Sequence, residues 1–103
     1  MKVMLSEKYR LAAKEWCELD AAANLLEETK SAFLSQKMAA LGDMPVSKAE
    51  MKVKASAEWR EFIESMVAAR KAANLAKVKL EWVRMKFSEW QSAEANSRAE
   101  RRL

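Results

Sequence analysis

The chain's only glycine and only proline, Gly42 and Pro45, sit three positions apart. These are the two residue types that interrupt helices most strongly, so 41 residues before Gly42 and 58 after Pro45 run without a breaker. Stretches of that length suit long helices and not turn-rich β architecture. Gly42 can take the left-handed conformation that ends a helix, and Pro45 keeps the helix from resuming at once. Ser47 and Glu50 then match the S-x-x-E capping box, with Val46 and Met51 placed as the hydrophobic staple. A second helix is expected from near Lys48, and Ser56 offers a further N-cap and a break near residue 55.

Both stretches carry one apolar seam. Before the turn, Leu5, Tyr9, Ala12, Trp16, Leu19, Ala23, Leu26, Lys30, Phe33, Lys37 and Ala40 alternate steps of four and three, a heptad pattern. Toward the turn Leu34, Met38 and Leu41 carry the stripe one residue later, the drift of a straight helix against a strict heptad. After the turn, Trp59, Phe62, Met66, Ala69, Ala73, Ala76, Leu80, Val83, Phe87 and Trp90 keep the alternation unbroken. The expectation is helix 1 over about 6–41, a turn at 42–47, helix 2 over about 48–97 and a basic tail at 98–103. Folding about residues 49 and 50 sets Phe33 near Met66, Leu26 near Ala73, Leu19 near Leu80, Trp16 near Val83, Ala12 near Phe87 and Tyr9 near Trp90. The fold class read from this is all-α: one domain, an antiparallel two-helix coiled-coil hairpin, assembled into a homo-oligomeric helical bundle or ring.

The oligomer is expected because helix 2 has a second apolar row, Leu75, Val78, Trp82 and Met85, on the side away from the seam. Trp16, Trp59 and Trp90 occupy seam positions, which leaves Trp82 as the tryptophan expected at an interface. Lys30 and Lys37 interrupt the first seam, either specifying register or emerging near the loop.

Several classes of activity find no residues to carry them. The chain has no histidine, and Cys17 is its only cysteine, so a one-chain zinc site or disulfide framework cannot be assembled. With no glycine-rich phosphate loop and no isolated carboxylate pair, no enzyme, metal or cofactor is expected. Residues 1–20 carry Glu7, Glu15, Glu18 and Asp20 and do not resemble a signal peptide. No run approaches the roughly 20 apolar residues of a membrane span, and a cytoplasmic protein without membrane contact is the expectation.

Charge is unevenly divided. Residues 1–50 hold seven Lys or Arg against eight Asp or Glu, and residues 51–103 hold twelve against seven. Arg70, Lys77 and Arg84 recur every seven residues, about 10.5 Å apart along a helix, and Lys71, Lys79 and Lys86 are expected to broaden that flank. Arg98, Arg101 and Arg102 add a second basic group in the tail. Such a stripe suits phosphate neutralisation along a nucleic-acid backbone, with Trp82 beside it to stack on an unpaired base. The alternative is a solvated flank paired with acids such as Glu15, Glu18, Asp20, Glu27 and Glu28.

The segments "AEMKVKASAEWREF", "VAARKAANLAKVKLEWVRMKFSEWQS" and "SRAERR" resemble short helical proteins encoded by phages and prophages. Over about residues 49–92 the layout is similar, more distantly, to UvsY-type phage recombination mediators. That resemblance implies small helical subunits in ring-like oligomers that bind single-stranded DNA and help load a RecA-like recombinase onto DNA covered by single-strand-binding protein. The matching basic positions are Lys52, Lys54, Arg70, Lys71 and Lys77. Two functions are therefore carried forward: an oligomeric single-stranded-DNA-binding accessory protein of phage recombination or replication, and a phage-encoded inhibitor or adaptor that presents Leu75, Val78, Trp82 and Met85 to a host protein.

Overall fold

The computed structural model describes residues 2–102, with side chains over 4–101. The chain is all-α: α1 (Lys2–Ala40), α2 (Val46–Lys54) and α3 (Ala57–Arg102), with no strand among the described residues. Gly42 takes φ +84° as expected, and the amides of Leu41 and Gly42 donate to the carbonyls of Met38 and Ala39 to close α1.

The start of the second half departs from the sequence pattern. Pro45, with extended backbone (φ −56°, ψ 141°), is itself the N-cap of α2, and its carbonyl accepts the first helical bond from Ala49. Ser47 therefore falls inside the first turn, where its hydroxyl cannot cap. Glu50 bonds to Lys54 at 2.7 Å instead of reaching back. The capping box does not form, and Val46 and Met51 are both exposed.

The break near residue 55 is real, and Ser56 makes it. Its hydroxyl accepts from the Trp59 amide at 3.2 Å, capping α3, and donates to the Val53 carbonyl at 2.6 Å, holding the end of α2. α2 contacts both long helices and buries Ala49 and Val53.

α1 and α3 run antiparallel side by side in a rod of 83 × 17 × 17 Å. Along most of the seam the heptads hold: Ala12, Ala23, Ala73, Ala76, Leu80 and Val83 are buried and the aromatic seam residues are half-buried around them, whereas Lys30, Ala40 and Leu41, toward the turn, are exposed. Small residues in the middle let the helices approach closely. Near the loop, Phe33 stacks on Phe62 with centroids 4.5 Å apart and Trp59 completes the group. The two seam lysines lie at the edge of this group, with the Lys30 ammonium 5.9 Å from the Trp59 ring centre and that of Lys37 5.6 Å from Phe33. A cation over a π face is attracted to it while staying wet, so neither lysine interrupts the seam.

The register is displaced by about one helical turn. Phe33 meets Phe62 where the expected partner was Met66, and Tyr9 lies by Arg84 where it was Trp90. These pairs centre the fold near residue 47, where the expectation was 49 and 50, and the short α2 packs against both long helices across that point. At the open end, Leu5 and Trp90 line one groove. The described part of α1 begins one turn before Leu5, whereas α3 continues about three turns past Trp90, so residues 98–102 of the basic tail are helical and belong to α3. They run beyond the first described turn of α1.

Leu80 and Leu25 differ in placement, one buried in the seam and the other exposed on the back of α1. Leu80→Ala is expected to lower unfolding free energy by about 2–4 kcal/mol and Leu25→Ala by less than about 0.5 kcal/mol, read by thermal or urea denaturation. Ser56→Ala is expected to cost about 1 kcal/mol in the same measurement.

Candidate nucleic-acid interface

A helix residue two positions from another points roughly 200° away, and this separates the basic residues of α3. Arg70, Lys77 and Arg84 share one flank of the seam at heptad spacing. Lys79 and Lys86 lie on the opposite flank, where Lys79 meets Glu15 at 3.3 Å and Lys86 approaches Glu89 at 3.6 Å. They do not broaden the stripe, because Lys77 and Lys79, like Arg84 and Lys86, are two residues apart. Trp82 is likewise away from the stripe, with Lys86 over its ring at 5.6 Å. Lys71 is on the outer face beside Leu75 and Val78. Lys52 and Lys54 belong to α2 at the loop end, roughly 60 Å of helix from Arg98 at 1.5 Å per residue.

The stripe itself divides in two. In the antiparallel pair its α1 counterparts are Ser6, Ala13, Asp20 and Glu27, again every seven residues. Arg70 is held there: its guanidinium donates to Glu27 at 2.7 and 2.9 Å, to Asp20 at 2.7 Å and to the Asn24 amide oxygen at 2.7 Å. The bond to Arg70 keeps the Glu27 carboxyl below its usual range, and the same contacts, Glu27 first, hold the Arg70 guanidinium above its own. Arg70 is thus an interhelical clamp, as the ion-paired alternative foresaw for Asp20 and Glu27.

Beyond Arg70 the stripe's next α1 counterparts, Ala13 and Ser6, carry no charge, and Asp20 stands between Arg70 and Lys77 with its carboxylate bonded to Arg70. Lys77 has no ion pair within 4 Å among the described residues. Arg84 faces Tyr9, donating to its hydroxyl at 3.1 Å and lying 5.9 Å from the ring centre. Tyr9, Arg84, Ser6 and Phe87 enclose a pocket of about 330 Å³. Counting on by sevens from Arg84 brings Gln91 and then Arg98 to the same flank, and Arg98 also has no ion pair among the described residues. Arg101 bonds within its helix to Ser97 at 3.1 Å, and the Arg102 side chain lies outside the described residues. On the flank that carries Lys77, Arg84, Gln91 and Arg98, the rings of Tyr9 and Phe87 lie beside Arg84; Lys8 and Lys86 lie beside Trp82 and Trp90 in a groove on the other flank. Sequence reading placed Tyr9 and Phe87 only in the seam and Arg98 only in the tail; the seven-residue count continued past Arg84 was the available signal.

The apolar row is where the pattern put it. Leu75, Val78, Trp82 and Met85 are each 55–62% exposed; Leu5 and Lys8 of α1 share a groove with Trp82, and Glu27 shares one with Leu75 and Val78. No helix among the described residues is long and apolar enough to cross a membrane. Comparison with protein-family models, curated proteins and solved structures finds no match.

The clamp gives stability a pH dependence. Glu27's folded-state pKa is lowered, so its contribution is present above the ordinary glutamate pKa of about 4.3 and lost as pH falls through the folded value. Melting temperatures of wild type and Arg70→Gln are expected to differ above about pH 5 and to converge on further acidification, as measured by circular dichroism.

Proposed function

We propose that the protein is a non-enzymatic helical accessory protein that binds single-stranded DNA along one flank of α3. The observation that carries the reading is the loss of acidic partners along the stripe. Asp20 and Glu27 neutralise Arg70, whereas Ala13 and Ser6 of α1 supply no acid to Lys77 or Arg84, and Arg84 has only Glu81 of its own helix one turn away. Cations at heptad spacing track a backbone, and counterion release supplies affinity without sequence preference. Tyr9 and Phe87 supply rings for base stacking in place of Trp82. Gln91 and Arg98 continue the same flank toward the C-terminal end of α3.

The biological setting, assistance to phage recombination or replication in the host cytoplasm with a recombinase or single-strand-binding protein as partner, rests on the resemblance over about residues 49–92. Within the resemblance's basic positions, Lys77 carries the proposal, and Arg70 supports it by fixing the hairpin.

A second reading follows from the exposed row at Leu75, Val78, Trp82 and Met85: a protein-binding module without nucleic-acid contact. One titration separates the two. A labelled single-stranded oligonucleotide is expected to bind with affinity that falls steeply with salt. Lys77→Glu, Arg84→Glu and Arg98→Glu together are expected to weaken binding more than about tenfold and lower the salt slope by about two, with Trp82→Ala near wild type. Wild-type protein that leaves the oligonucleotide free at low salt refutes the DNA reading and leaves the second.

A further inference from the structure

The exposed row of α3 is self-complementary. Lys71, Leu75, Val78, Trp82, Met85 and Glu89 follow steps of four, three, four, three and four, a series that reads the same in both directions. We propose that α3 pairs antiparallel with α3 of a second copy of the chain, about a twofold axis at Leu80. In that register Leu75 meets Met85, Val78 meets Trp82, and Lys71 meets Glu89 of the second copy, each pair occurring twice.

Charge selects this arrangement over a parallel one. Parallel pairing would set Lys71 against Lys71 and Glu89 against Glu89, whereas antiparallel pairing closes both ends of the apolar row with opposite charges. Lys71 has no ion pair of its own among the described residues, and Glu89 is exposed with only the 3.6 Å approach of Lys86. Farther out, the same register lays the arginine-bearing last turns of each α3 alongside the first turns of its mate, which carry Glu61 and Glu64. The flank residues nearest the axis already have opposite charges of their own chain: Lys79 has Glu15 at 3.3 Å, and Glu81 lies one turn from Arg84. The surface is also shaped for knobs. A groove of about 460 Å³, walled on one side by the Arg70–Glu27 clamp, runs along Val67, Lys71, Leu75 and Val78, on the stretch that would receive Met85 and Trp82 of the second copy. The contact from residue 71 to residue 89 covers about 27 Å of helix.

The row is on the side of α3 away from the seam, so this pairing does not depend on the nucleic-acid reading. Sedimentation equilibrium or light scattering on the full chain tests it, with circular dichroism on each variant to verify that helix content is kept. The wild type is expected at twice the chain mass, and Trp82→Ala at the chain mass. Lys71→Glu alone and Glu89→Lys alone are each expected to raise the dissociation constant by about tenfold or more, and the two combined to restore it. A wild type at the chain mass, an assembly untouched by Trp82→Ala, or a double reversal no tighter than the singles would each overturn the proposal.

Discussion

Everything in this molecule hangs on one seam. Each long helix has a single long neighbour, so the apolar contact between α1 and α3 is what repays the ordering of both chains. The contact is narrow at its centre, where Ala12, Ala23, Ala73 and Ala76 are buried, and is propped at the two ends by aromatic residues. The short α2 and the Ser56 hydroxyl, bonded to both Val53 and Trp59, then determine which turn of α3 meets which turn of α1.

Register decides what the surface can do. With α1 and α3 offset as they are, Asp20 and Glu27 fall on Arg70 and close it off, and the uncharged Ala13 and Ser6 fall opposite Lys77 and Arg84. A slide of one heptad would put both acids on Lys77 and leave Arg70 with Glu27 alone. Electrostatic function here is thus a by-product of packing: the seam aligns the helices, and the alignment determines which cations keep their counterions in solution.

Much of the fold was legible because its signals are periodic. The four-and-three alternation placed the seam, the outer row and the exposure of Trp82, and the Gly42 and Pro45 pair placed the turn. What escaped were events governed by single residues. Pro45 took the N-cap from Ser47, and the register lies about one turn from the expected one, since a repeating apolar seam offers similar contacts at neighbouring offsets. The basic stripe was half legible. Arg70, Lys77 and Arg84 share a flank as their spacing requires, but adjacency in sequence had drawn in Lys79 and Lys86, which two residues of helix carry to the other side.

A rod 17 Å across has no centre, and among the described residues no large side chain is fully buried. Contacts are local along the axis, so the molecule resembles a zipper more than a globule, and its ends can open while the middle holds. Amide exchange should then grade along each helix, slowest near Ala23 and Ala73 and fastest at both tips. It also makes length a free variable: seven residues removed from α1 together with the seven facing them in α3 would leave every remaining neighbour in place.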